Sequence, residues 1–76
     1  MQTHPRPVAL QSRRPTGAWR SVVLFDAGDE QAEHHMREAV HHLAAVDELA
    51  QFRVVTRELI PDTLQEYSAA FGWRPA

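Results

Sequence analysis

The hydrophobic positions of this chain divide it into strand-like segments and one long stretch with a helical period. From Trp19 to Asp26 apolar residues are almost continuous and turn-forming residues bound them, which predicts a strand. Both faces of this strand are apolar, so we expect it to be central in a sheet or covered on both sides. Residues 8–14 suit a shorter strand, and the Pro-Thr-Gly sequence at 15–17 favours a hairpin turn between the two.

The long stretch predicts a helix from Asp29 to about Ala50. Asp29 suits the N-cap position, and Glu30 and Glu33 would meet the positive end of the helix dipole. Apolar residues then recur at every third or fourth position, the pattern of one buried face. This stripe, widened by Val40 and Leu49, consists of Ala32, Met36, Ala39, Leu43, Val46 and Ala50.

The remaining segment predicts one more strand and a short helix. Residues 51–59 alternate between two faces, as a strand does. Pro61 is tolerated in a first helical turn, and the apolar side chains at 64, 67, 70 and 71 would share one side of a helix. Gly72 suits the end of such a helix, with Trp73 folding back on its last turn.

These elements predict an α+β domain of the order β-hairpin, long helix, strand and short helix (ββαβα). Residues 1–7 are expected to be a flexible N-terminal arm, and residues 8–76 a single domain. A right-handed crossover makes the second and third strands parallel. The first strand would lie between them, antiparallel to both, in a three-stranded sheet of split βαβ order 2-1-3. The long helix would pack on one face of this sheet.

The small size of the domain favours self-association. A domain of 76 residues has a limited core, and without cysteine it cannot be stabilised by disulfide bonds. The sheet face away from the long helix is too apolar to be left in water, so the C-terminal helix or a second subunit should cover it. We expect a homodimer, or a complex with another protein, through this face and the C-terminal segment. The expected interface residues are Val22, Leu24, Val55, Phe71 and Trp73.

Two histidine pairs lie seven residues apart on the predicted helix, with Glu38 between them. Seven residues span about 10.5 Å along a helix, so His34 and His41 cannot both bind one zinc ion. Glu38 is close enough to chelate with a histidine of either pair, but one helix does not complete a ligand set. The candidate metal ligands are His34, His35, Glu38, His41 and His42. We expect a solvated helix face that holds no metal or cofactor.

Arginines on the strands and the hairpin provide an alternative function, nucleic-acid binding. The residues concerned are Arg13, Arg14, Arg20, Arg53 and Arg57. Arginines on a two-stranded ribbon can contact phosphates, and Trp19 could stack on a base. The net charge of −2 and the lack of a basic cluster argue against it. The arginines would otherwise pair across strands and cover apolar surface with their stems.

No motif in the chain indicates an enzyme. The glycines stand alone at positions 17, 28 and 72, so there is no glycine-rich phosphate loop, and no serine lies in a nucleophile elbow. No segment reaches the ~20 apolar residues that span a bilayer. We therefore expect a non-enzymatic binding or interaction module in the cytoplasm.

Overall fold

A computed structural model describes residues 6–58, 60–69 and 71–76. The elements are β1 (Pro7–Arg13), β2 (Arg20–Asp26), α1 (Glu30–Val46), β3 (Gln51–Thr56), β4 (Thr63–Ser68) and β5 (Gly72–Pro75). The strands form one sheet in the spatial order β2-β1-β3-β4-β5, and every neighbouring pair is antiparallel. No helix in these ranges is long and apolar enough to cross a membrane.

The predicted fold of three strands and two helices is wrong, because the sheet has five strands and is packed with one helix. Strand β1 does lie between β2 and β3, antiparallel to both. The sheet then continues through β4 and β5, where the sequence predicts a short helix. The expectation that β2 is central or covered on both sides is also wrong, since β2 lies at an edge of the sheet and Val22 to Leu24 are exposed.

A β-bulge explains why the C-terminal segment has a helical spacing. Val54 lies opposite Gln65 and Val55 lies opposite Thr63, so Leu64 is an extra residue on β4. The bulge lets both Leu64 and Tyr67 pack against the core, although they are three residues apart. A bulge thus produces the spacing that normally indicates a helix.

A turn between β4 and β5 lies where the sequence predicts the end of a helix. Gly72 has a φ of 69°, which glycine adopts readily, but it lies opposite Ser68 at the start of β5. Trp73 does not fold back on a helix. It lies opposite Tyr67 in the hairpin, with the two ring centroids 5.4 Å apart. Ala70, expected on the predicted helix, and Leu59, expected on the third strand, lie outside the described residues.

The helix α1 begins as predicted and ends earlier. The carboxylate of Asp29 accepts a hydrogen bond of 3.0 Å from the backbone N–H of Ala32, so Asp29 is the N-cap. The helix ends at Val46, and Asp47 follows in an extended conformation. The Asp47 carboxylate accepts a hydrogen bond of 3.1 Å from the N–H of Leu49, which favours a turn over a further helical turn.

The core lies between α1 and one face of the sheet. Its buried residues are Val8, Leu10, Met36, Val40, Ala44, Phe52 and Val54. The helix therefore buries the row of Met36, Val40 and Ala44, whereas Leu43 and Val46, predicted to be buried, are 45% and 88% exposed. Since strand side chains alternate between faces, the residues between the core positions of β1 and β3 point to the other side. We call that side the open face.

The region expected to be an N-terminal arm contributes to the sheet at its end. Strand β1 starts at Pro7. The backbone of Arg6 forms two hydrogen bonds at the end of β2. Its N–H donates to Asp26 Oδ1 at 3.3 Å, and its C=O accepts from the N–H of Ala27 at 3.0 Å. Residues 1–5 lie outside the described residues.

Polar side chains tie α1 to the C-terminal hairpin. The Arg37 guanidinium donates to Glu33 at 3.0 Å and to Gln65 Oε1 at 2.7 Å. Its central carbon also lies 5.4 Å from the centre of the Trp73 ring. Side chains of the β4–β5 hairpin thus contact α1 on the helix-covered face of the sheet.

Candidate functional site

Strand β2 carries the most concentrated apolar surface at a sheet edge. Val22, Val23 and Leu24 follow one another and are 51%, 43% and 51% exposed. Leu10 lies opposite Val23 whereas Gln11 lies opposite Ser21, so Val22 is a bulged extra residue. Side chains of this strand therefore present apolar surface to both faces. Within the described ranges, no strand pairs with the outer side of β2.

The two sheet edges differ in their protection. Natural edge strands are commonly shielded by proline, charged residues, bulges or short length. Strand β5 has four residues and includes Arg74 and Pro75. Strand β2 has seven residues and no proline, and its charged residues, Arg20 and Asp26, stand at its two ends. Apart from the bulge at Val22, the middle of β2 is open to pairing with another strand.

The residues expected to form an interface do not share one surface. Val22 and Leu24 are exposed on β2, whereas Phe71, 69% exposed, lies in the turn next to β5 at the opposite edge. Val55 is only 2% exposed and has little apolar surface left to bury. Trp73 is half-buried against Tyr67 and Arg37. Only the two β2 residues form a contiguous apolar edge, to which Val23 must be added.

The open face carries a cluster in which two arginines share one indole ring. The guanidinium carbons of Arg13 and Arg53 lie 4.5 Å and 4.2 Å from the centre of the Trp19 ring. Both distances are within the range of a cation–π interaction. Arg13 is on β1, Arg53 is on β3, and Trp19 is the residue before β2. We call these three residues the arginine–tryptophan cluster.

Glutamines hold both arginines in place. Arg13 lies opposite Gln51, and its Nε donates to Gln51 Oε1 at 2.9 Å. Arg53 lies opposite Gln11, and its Nε donates to Gln11 Oε1 at 2.8 Å. These bonds use Nε alone, so they leave the terminal Nη atoms of both guanidiniums available to a ligand.

Among the residues that the structure describes, no acidic side chain forms an ion pair with the arginines of the cluster. Burial and then the positive charge of Arg13 lower the pKa of Arg53, while Glu66 acts in the opposite direction. The arginine–carboxylate contacts found within the described ranges involve Arg14 and Arg37, not the cluster. Two like charges are thus held together on the sheet, an arrangement that an added anion would stabilise.

A hollow of about 240 Å³ adjoins the cluster. Its polar lining consists of Arg13, Gln51, Glu66, Ser68 and Arg74, and Trp19 forms part of its wall. Glu66 lies opposite Arg53 on one side and opposite Arg74 on the other, so these three residues form a row across β3, β4 and β5. Three guanidiniums and one carboxylate therefore surround this part of the open face.

The other arginines of the proposed nucleic-acid surface lie elsewhere. Arg14 forms an ion pair of 2.9 Å with Asp47. Arg20 is exposed at the start of β2, and Arg57 follows the end of β3 that is remote from Arg13. Arg74, which borders the hollow, was missing from the prediction. It lies beyond the predicted helix, which was expected to end at Gly72, and only the β4–β5 pairing brings it to Glu66.

The histidine-bearing face of α1 is exposed. His34 Nε2 lies 2.9 Å from Glu38 Oε1, with both side chains more than half exposed. The rings within each histidine pair have centroids 5.9 Å apart. In the part of the chain that the structure describes, no three His, Asp or Glu side chains are grouped to hold a metal ion.

Comparison with protein-family models, curated proteins and solved structures finds no match to this chain. The functional argument therefore depends on the two surfaces described above, the apolar edge of β2 and the arginine–tryptophan cluster of the open face.

Proposed function

We propose that this chain is a non-enzymatic interaction module that forms a homodimer by antiparallel pairing of two β2 strands. The observation that carries the proposal is the run of three exposed aliphatic residues on an edge strand, Val22 to Leu24. An exposed apolar edge strand is a template for pairing with another chain. Pairing would satisfy the outer backbone groups of β2 and bury these side chains in one step.

The charges of β2 favour a second copy as the partner. Arg20 begins the strand and Asp26 ends it. In an antiparallel pair of identical strands, the basic start of each strand lies beside the acidic end of the other, whereas a parallel pair would place like charges together. Oδ1 of Asp26 already accepts a hydrogen bond of 2.8 Å from Gly28, which holds this carboxylate at the strand end.

The energy available from the side chains is moderate. Full burial of a valine or leucine contributes ~1.5–3 kcal/mol, so burying the exposed half of each contributes roughly 1 kcal/mol. Six such side chains in a dimer give about 6 kcal/mol before the strand hydrogen bonds and the cost of association. We therefore expect a reversible dimer with a dissociation constant in or above the micromolar range.

Sedimentation equilibrium over a wide range of protein concentrations tests this proposal. We expect the wild-type chain to shift from monomer to dimer as its concentration rises. Leu24→Lys should stay monomeric because it places a charge in the apolar edge. The matched control is Val46→Lys, which adds the same charge at an 88% exposed position on α1 and should dimerise as wild type does.

Either of two results would overturn the proposal. One is a wild-type chain that remains monomeric at the highest concentration. The other is equal dimerisation of wild type and Leu24→Lys, with both variants folded by circular dichroism, which would place the contact away from β2.

A further inference from the structure

The open face has the elements of a ligand site that is separate from the β2 edge. Arg13 and Arg53 lie against the same indole, and Arg74 borders the adjoining hollow. A glutamine orients Arg13 and another orients Arg53, in each case through a hydrogen bond from Nε. The terminal Nη atoms take no part in these bonds and can donate to a ligand. A guanidinium held in this way is prepared for bidentate contact with an oxyanion.

The flat groups at the cluster indicate what accompanies the anion. Trp19 is only partly buried, and its ring borders the hollow together with Arg13. Nucleic-acid bases stack in proteins on aromatic rings, indole among them, and on guanidinium planes. The indole already holds the two arginines, and the part of it that stays exposed beside the hollow offers a base a stacking surface.

The size of the hollow and the net charge of the chain limit the ligand to a small unit. The hollow has a volume of about 240 Å³, and the other arginines considered for nucleic-acid contact, Arg14, Arg20 and Arg57, lie outside its lining. The whole chain carries a net charge of −2, so a long polyanion would meet repulsion beyond the cluster. Contact with one phosphate implies a salt dependence with a slope of roughly −0.7 for a single strand.

We propose that the arginine–tryptophan cluster and the adjoining hollow bind one phosphate-bearing base, as a free nucleotide or as one unit of a single-stranded nucleic acid. The guanidiniums of Arg13 and Arg74 contact the phosphate, and Trp19 stacks on the base. Glu66 lies between Arg53 and Arg74 and opposes the phosphate charge, so it restrains affinity and offers an acceptor to the N–H groups of a base.

Fluorescence anisotropy tests this site on the full chain with a short, labelled deoxyadenylate single strand. The unlabelled competitors are the same strand, adenosine monophosphate and inorganic phosphate. If the nucleotide competes at least as well as the strand, the source is a free nucleotide. If the strand competes much better, the source is nucleic acid. The proposal would be overturned if neither the strand nor the nucleotide binds. It would also be overturned if inorganic phosphate competes as well as they do.

Variants separate the site from general electrostatic attraction. Arg13→Gln should weaken binding about tenfold or more, because it removes one phosphate contact. Arg14→Gln is the matched control: it removes the same charge from the neighbouring residue, which pairs with Asp47, and it should change affinity less than about twofold. Equal losses in the two variants would show nonspecific attraction and reject the site.

A variant that is expected to bind more tightly distinguishes a specific effect from misfolding, because an unfolded protein would only lose affinity. Glu66→Gln keeps the shape of the side chain and removes the charge that opposes the phosphate, so we expect affinity to rise several-fold. Trp19→Leu should weaken binding of the strand about tenfold, while Trp19→Phe should retain most of it. A Glu66→Gln variant that binds no better than wild type contradicts the assigned role of the hollow.

Discussion

The guanidinium carbon of Arg53 lies 4.2 Å from the centre of the Trp19 ring, and the contact joins the β1–β2 loop to a strand beyond β1. Arg13 makes a second contact with the same ring at 4.5 Å. The hairpin loop is thereby fixed over the open face. The same contacts that shape the candidate ligand site also connect the β1–β2 hairpin to β3, which is distant in sequence.

Removal of this indole should reduce stability. Each cation–π contact contributes about 0.5–1 kcal/mol at a partly exposed position, so Trp19→Leu should lower the free energy of unfolding by roughly 1–2 kcal/mol. Urea unfolding followed by circular dichroism measures the change. The control is Phe71→Leu, because Phe71 is 69% exposed and contacts a single guanidinium, that of Arg74 at 4.8 Å. A larger loss in the control would mean that Trp19 is not held by the arginines.

The helix stripe can be tested by a matched pair of valines. Val40 is completely buried and Val46 is 88% exposed on the same helix. Val40→Ala should cost about 2–3 kcal/mol through lost burial and the cavity left behind, whereas Val46→Ala should stay within about 0.5 kcal/mol. Chemical denaturation of both variants measures the two changes in the free energy of unfolding. Equal costs would contradict the orientation of α1 described above.

The start of the helix depends on the Asp29 cap. Asp29→Ala removes the acceptor for the Ala32 N–H and should lower the free energy of unfolding by about 1 kcal/mol. Asp29→Asn keeps a capping oxygen and should lower the free energy of unfolding by only about a few tenths of a kcal/mol. Thermal unfolding of the two variants provides the comparison, and identical losses would show that the hydrogen bond contributes little.

Pairing of β2 strands should be visible in hydrogen exchange. The outward amides of β2 have no strand partner within the described part of the chain, so in the monomer they should exchange quickly. We expect their protection to rise with protein concentration, while β5, the opposite edge, stays unchanged. Protection of β2 that is independent of concentration would argue against the dimer.

Local signals predicted the first two strands, the helix start and the third strand. The turn residues at 15–17 lie between β1 and β2, and Asp29 caps α1 as its side-chain chemistry requires. The C-terminal hairpin was missed because the bulge at Leu64 gives Leu64 and Tyr67 the spacing of a helix face. Periodicity fails wherever an extra residue interrupts a strand.

The candidate site was only partly predictable for a related reason. Arg13, Arg53 and Trp19 were selected by residue type, but nothing local indicates that Gln51 and Gln11 would orient the two arginines. Those partners follow from the register between β1 and β3. The contribution of Arg74 likewise depends on the pairing of β4 with β5. Register between distant strands is a property of the folded sheet.

The central pairing of β1 with β3 has a consequence for the rate at which the chain folds. The pairs β1–β2 and β4–β5 are each joined by a short turn and can form as local hairpins in about 1–10 μs. The β1–β3 ladder instead joins Leu10 to Val54 across the whole helix segment. Because closure of so long a loop must precede its contacts, we expect the slow step of folding to be the joining of these two strands. Stabilising either hairpin alone would then leave the folding time nearly unchanged.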